Sequence, residues 1–155
     1  MVRNDWGPIM WELFHTLAHK LKEENNTEDN VKLIINLSSY IISNLPCPAC
    51  REHAEKHIKN IIITKIINKE ELILFYFNLH NNINQLLLKN KFYFEELINK
   101  YSNLNIKAII NELTLCLQEL SNNQYKNNIY VKKNIENIIN ELQDWWNINH
   151  HLFNP

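Results

Sequence analysis

The stretch KEELILFYFNLHNNINQLLL, residues 69–88, decides the fold class. Leu72, Phe75, Leu79, Ile83 and Leu86 recur at intervals of three and four, the spacing that lines one face of a 3.6-residue helix. No strand-like alternation competes with it, so a fourth helix is expected over about residues 69–88. The same period extends outward in both directions. Ile9, Leu13, Leu17 and Leu21 line a first helix opened by Trp6-Gly7-Pro8, with Pro8 tolerated in the first turn. KEENNTEDN is a polar connection. Val31, Ile34, Ile35, Leu37, Ile41 and Ile42 mark a second helix that stops before Leu45-Pro46, because the residue before proline disfavours helix. A third begins at Cys47-Pro48-Ala49-Cys50 and runs through residues 51–59. The β-branched IIITKII at 61–67 has strand propensity but no partner, and reads as a loop or helix edge.

A short fifth helix is expected over about residues 92–101. Two further amphipathic stretches follow, around 106–120 and 131–146, joined by SNNQYKNN. The fold class is all-α: a four-helix bundle with a short fifth helix and additional C-terminal helices. At 155 residues, 45% hydrophobic and 21% charged, the chain has enough apolar surface for a core without needing disulfides merely to fold. Residues 1–101 read as the functional bundle. Residues 102–155 read as a helical extension on the same domain or at a dimer interface.

Composition excludes several functions. The single glycine, Gly7, cannot build a G-x-G-x-x-G turn or a two-glycine phosphate loop, so any nucleotide must be held by helices and side chains. A net charge of −1 offers no general attraction to nucleic acid or an anionic membrane. Asp5 and Glu12 interrupt the apolar residues near the N-terminus, where a secretory leader needs a continuous run, and no stretch approaches the roughly 20 apolar residues of a membrane span. A cytoplasmic protein is expected.

Two of three cysteines sit in NLPCPACREH, residues 44–53. A C-x-x-C pair alone is ambiguous. Cys47, Cys50, His53 and His57 are spaced like zinc ligands, yet on one helix they span roughly 15 Å, and zinc requires four donors within about 2.0–2.3 Å. A zinc-stapled interaction module built on Cys47, Cys50 and His53 would therefore need a second element. A structural disulfide would close a tiny loop and stabilise little. At a helix start, the thiols lie near the positive end of the helix dipole, which favours the reactive thiolate. A thioredoxin-like use of the pair requires a central sheet, for which the sequence has no series of strands. Redox work here needs another electron acceptor beside the cysteines.

The polar residues inside the apolar stripes supply a pattern. Gly7, Trp11 and His15 lie at i, i+4 and i+8 on one helix face, and His80 and Asn84 share a face of the fourth helix. G-x-x-x-W-x-x-x-H at 7–15, C-x-x-C at 47–50, H-N-x-x-N at His80, Asn81 and Asn84, then Lys89, Phe92 and an aromatic at Tyr101 occur in one order over residues 5–101. In these motifs the chain resembles the Erv/ALR family of FAD-dependent sulfhydryl oxidases. The resemblance implies a helical bundle holding FAD, usually as a dimer, that makes disulfides in substrate thiols and passes electrons through the cysteine pair to FAD and dioxygen, giving hydrogen peroxide. It implies that Cys47 exchanges disulfide with substrate and that Cys50 attacks the flavin. Gly7, Trp11, His15, Cys50, His80, Asn81, Asn84, Lys89, Phe92 and Tyr101 are its implied cofactor contacts, with no metal. Lys91 is a further charge beside Lys89, and His53, one turn after Cys50, reads either as a cofactor neighbour or as an exposed helix residue.

The chain departs from many family members in lacking a shuttle pair and the structural pair that would begin at Phe94. It looks like a minimal oxidase, familiar in large DNA viruses, that acts directly on protein thiols or borrows a thioredoxin-like relay. Cys116 reads as a buried inert thiol, with an intermolecular disulfide as the alternative. Trp145 and Trp146 point roughly 100° apart on a helix, so both are not expected to be fully buried in one core, and one of them reads either as a dimer or partner surface or as simple packing.

Overall fold

The computed structural model describes residues 5–62 and 66–155, without the side chains of residues 57 and 60–62. Seven α-helices are described: α1 (Trp6–Lys20), α2 (Glu28–Ser43), α3 (Pro48–Ile62), α4 (Lys69–Leu86), α5 (Phe94–Tyr101), α6 (Ile106–Asn122) and α7 (Ile129–Asn149). The all-α reading holds. Among the described residues, β-pairing is limited to one isolated bridge, Leu21 with Phe153. The residues at either end of the β-branched run that are described agree with a helix edge and loop; residues 63–65 lie outside the described residues.

Local chemistry starts the helices. Asp5, Thr27, Asn68, Asn105 and Asn128 are N-caps whose side-chain oxygens accept a backbone N–H of α1, α2, α4, α6 and α7, satisfying donors that the first turn leaves unpaired. At α3 a sulfur takes this place: Cys50 N donates to Cys47 Sγ at 3.4 Å, and Arg51 N to the Cys47 carbonyl at 2.9 Å.

The end of α4 is unusual. Leu88 N donates to Gln85 O and Lys89 N to Asn84 O at 2.8 Å, the paired closure of a Schellman turn, which requires a left-handed residue. With no glycine nearby, Leu88 adopts φ 58°. The helix therefore stops at Leu86, two residues short of the sequence expectation. The fifth helix likewise begins at Phe94 instead of residue 92, because the Phe92 N–H and carbonyl are both taken by the Asn81 side chain, at 3.1 Å each.

The core is continuous. α1 lies at its centre, packed on α4, α5 and α6, while α7 packs on α6 and α2, and α3 on α2 and α4. Leu13, Phe14, Leu17, Leu37, Ile41, Leu72, Tyr76 and Leu79 are fully or almost fully buried, as are Leu113, Ile138 and Leu142 from the C-terminal helices. Residues 102–155 thus share the core of the bundle. The chain end is pinned to the end of α1: Lys22 N donates to Leu152 O at 3.0 Å and Asn154 N to Lys20 O at 2.8 Å. At the tryptophan pair this placement agrees with packing, one of its two readings. Trp145 is buried, Trp146 half-buried, and Phe153 folds back against both, with ring centroids 5.8 and 5.9 Å away.

Candidate active site

A cavity of about 350 Å³ opens where the first turns of α1, the start of α3, the end of α4 and the end of α5 converge. This lies near the lower end of the range of about 300–1,000 Å³ for ligand clefts. Of the sequence-predicted residues, Gly7, Trp11, Cys50, His80, Asn84, Lys89, Phe92 and Tyr101 line it together. Motifs separated by up to 94 residues are brought to one wall because α1 runs beside both α4 and α5.

Cys47 and Cys50 form a disulfide, with Cα atoms 5.3 Å apart. Cys50 lines the cavity and Cys47 does not, although both are half-buried. The sulfur of Cys47 sits over the N-terminus of α3, where backbone N–H groups stabilise negative charge.

Behind the wall the aromatic residues pack on one another. His80 stacks on Trp11 at 4.3 Å with ring planes 10° apart, and His15 stacks on Tyr101 at 4.5 Å and 20°. The two imidazoles meet at 3.0 Å between His15 Nε2 and His80 Nδ1, so one nitrogen is protonated and its partner accepts. Burial, with the nearby Lys100 and Lys89, pushes His80 down to about 3. His15 is fully buried and held well below the ordinary imidazole range by burial first, then by His80, His19 and Lys100. Tyr101 is pushed up to about 12 by burial and by Glu12 and Glu96. The cavity is therefore walled by neutral rings at physiological pH, with positive charge confined to Lys89 and Lys100.

The remaining expected contacts lie elsewhere. His15 sits one layer behind Tyr101 and His80. Asn81 spends its amide on Phe92, holding the loop that carries Lys89 and Phe92. Asn84 both lines the cavity and donates to Asn90 O at 3.4 Å. Lys91 and His53 are exposed and outside the lining. His57, proposed from its ligand spacing, has its side chain outside the described residues. Among the described residues, no group of three His, Cys, Asp or Glu could hold a metal ion. Nothing in the structure favours the zinc alternative, since Cys47 and Cys50 are bonded to each other.

Sequence reasoning missed Trp6, Glu12 and Lys100 in the wall. Glu12 and Lys100 carried no motif signal. Trp6 was visible only as the residue before Gly7. Lys100 Nζ lies 5.3 Å from the centre of the Tyr101 ring, a cation–π position.

Gly7 tests whether a cofactor fits. Its φ is not in the left-handed region, and a Cβ placed there would meet only Asp5 Oδ1, at an unstrained 3.5 Å. The fold does not require this glycine. Its missing side chain instead leaves room in the cavity, beside Cys50 and the neutral rings. That donor set and that space suit a flat, polar, redox-active group.

A family model described as the Erv1 / Alr family matches residues 8–102. A protein named FAD-linked sulfhydryl oxidase from a Kenyan pig isolate of African swine fever virus is 31% identical over 104 residues, covering 67% of this chain and 86% of the relative. Its counterpart from a Malawian tick isolate is 29% identical over 108 residues, 70% of this chain and 86% of the relative. No solved structure matches.

Proposed function

We infer the activity from one premise: this chain belongs to the Erv1/Alr family, and it is an FAD-linked sulfhydryl oxidase that oxidises substrate thiols with dioxygen. The observation that carries the residue assignment is a Cys47–Cys50 disulfide with Cys50 alone turned to the cavity. Bound FAD supplies a two-electron acceptor next to Cys50 and a site for dioxygen reduction.

We assign Cys47 as the outer and Cys50 as the inner catalytic thiol. A substrate thiolate attacks Cys47 Sγ, the Cys47–Cys50 bond breaks, and Cys50 leaves as a thiolate facing the cavity. A second substrate thiolate then attacks the mixed disulfide, so the substrate departs oxidised and Cys47 departs as a thiolate. The α3 N-terminus stabilises that charge. The pair closes again as its two electrons leave through Cys50.

Gly7, Trp11, His80, Asn84, Lys89, Phe92 and Tyr101 hold the cofactor in this reading. Trp11 and Tyr101 offer apolar faces, His80 a hydrogen-bonding group that stays neutral, and Lys89 a charge for phosphate. Missing from the motif but present in the wall, Lys100 joins Lys89. His15 and Asn81 act one layer back, the first backing Tyr101 and the second fixing the loop. Lys91 and His53, exposed and outside the lining, are given no cofactor contact in this reading.

Residues 1–101 form the oxidase bundle and 102–155 an extension of its core. Substrates are thiol-bearing, and they meet Cys47 directly or through a thioredoxin-like relay, because the remaining cysteine, Cys116, is buried in α6. That burial argues against Cys116 as an intermolecular disulfide. We further propose a cytoplasmic homodimer; exposed Tyr93, Phe94 and Ile98 leave an apolar surface for a second copy. No described helix is long and apolar enough to cross a membrane.

An absorption spectrum of the purified protein, followed by peroxide release with dithiothreitol, tests the reading. A two-band flavin spectrum that survives gel filtration, and peroxide release lost in Cys50→Ala, are expected. A colourless protein that cannot be reconstituted with FAD overturns it.

A further inference from the structure

One hydrogen bond ties the C-terminal helices to the redox pair. Tyr125, in the turn between α6 and α7, donates its hydroxyl hydrogen to the Pro46 carbonyl at 3.1 Å, across 79 positions of sequence. The turn that carries it is closed on itself, with Tyr125 N bonded to Leu120 O at 3.2 Å and Asn128 N to Tyr125 O at 3.0 Å. The ring is half-buried against the core, and Gln124 Nε2 donates to the hydroxyl oxygen at 3.4 Å. The hydroxyl therefore has a defined position.

Its acceptor belongs to the peptide that leads into Cys47. That peptide is planar, so holding the Pro46 oxygen also orients the Cys47 N–H and Cα. Pro46 has a fixed φ, which leaves few other ways for the segment to turn. Beyond it, Cys47 has both its carbonyl and its sulfur engaged by the first turn of α3. The clamp on Pro46 and the cap on α3 thus grip Cys47 from its two sides.

We propose that Tyr125 is a positioning residue of the redox pair: through the Pro46–Cys47 peptide it holds the Cys47 backbone in the position it has in the closed disulfide, and so favours that disulfide over the open dithiol. Residues 102–155 then tune the chemistry of a motif more than 50 residues before them. The proposal rests on the redox reading of Cys47 and Cys50.

The test equilibrates the full chain with reduced and oxidised glutathione, oxygen excluded. Two glutathione thiols reduce the Cys47–Cys50 disulfide to two thiols and leave as one glutathione disulfide, a balanced two-electron exchange. Alkylation under denaturing conditions and mass analysis of the 44–53 region read the ratio without relying on turnover. Tyr125→Phe keeps the ring and removes only the hydroxyl. The equilibrium constant for opening is expected to rise about three- to tenfold, the scale of one hydrogen bond, at unchanged far-ultraviolet dichroism. Gln124→Ala, which leaves Tyr125 able to donate, is expected to stay within about twofold of the parent. An unchanged constant in Tyr125→Phe overturns the proposal and leaves the oxidase reading standing. A parent pair that does not exchange with glutathione at all overturns the redox reading, and this proposal with it.

Discussion

Lowering the pH from 7.5 to 5 should destabilise this protein mainly through two imidazoles that are hidden as neutral rings. His80, stacked on Trp11 and bonded to His15, is pushed from the ordinary value of 6.5 down to about 3. Its folded-state affinity for a proton is thus lower than that of the unfolded chain. The contribution to stability is fully present above pH 6.5 and is lost as pH falls from 6.5 toward 3, because the unfolded state binds the proton first. At pH 5 the unfolded imidazole lies about one and a half units below its midpoint. The loss is therefore about 2 kcal/mol, at about 1.4 kcal/mol per unit. That figure holds for any folded value well below 5. His15 shifts in the same direction for the same first cause, burial, and adds to the loss. The shared hydrogen bond couples the two, since a second proton would set two N–H donors head to head. Urea unfolding at pH 7.5, 6.5, 5.5 and 5 gives the slope directly. His80→Gln should flatten it by close to one proton, about 1.4 kcal/mol per pH unit between about pH 5.5 and 5, and by about half that near pH 6.5. An identical slope in parent and variant would refute the placement of a neutral His80 in this wall.

Three further outcomes follow from the cavity and its loop. Leu88→Gly should raise stability by about 1 kcal/mol, or about 2–4 °C in Tm, because Leu88 is 94% exposed and gains nothing from its left-handed conformation. An unchanged or lowered melting temperature would deny strain in that turn. Gly7→Ala should leave the apoprotein at least as stable as the parent, given the 3.5 Å clearance, while weakening FAD about tenfold or more in a flavin-release titration. Full FAD affinity would show that the cavity does not hold the cofactor at Gly7. Asn81→Ala removes both hydrogen bonds to the Phe92 backbone and should cost about 1–3 kcal/mol in urea unfolding, with weaker FAD retention as the Lys89–Phe92 loop loosens. Lost affinity at unchanged stability would instead make Asn81 a direct contact.

Sequence reading succeeded where one residue type had one physical use. The helical stripes were visible because burial imposes its period on every element, and their register places Leu13, Leu72 and Leu79 in the core as expected. Motif residues on regular helices were equally visible: Trp11 and His80 point to the cavity side because spacing on a helix fixes direction. Element ends were not visible to the same degree. α4 stops at Leu86 through a left-handed leucine, which sequence propensity disfavours, and α5 starts late because a side chain 11 residues earlier captures the Phe92 backbone. The first departure is a local turn adopted against residue preference, and the second is a longer-range side-chain bond overriding a local pattern.

By itself, the sequence determined the all-α class, the order of the helices and the family motifs, since each depends on spacing along one chain and on the chemistry of the residues spaced. Only the tertiary structure decided that Lys100 and Glu12 join the cavity wall and that Asn81 holds backbone beside it. It also decided that Phe153 returns to cover both Trp145 and Trp146, and that Tyr125 grips Pro46. The physical reason is common to all of these. A helical period states which way a side chain points from its own axis, whereas the neighbour it meets is set by how separate axes pack, and that is fixed only when the whole core closes.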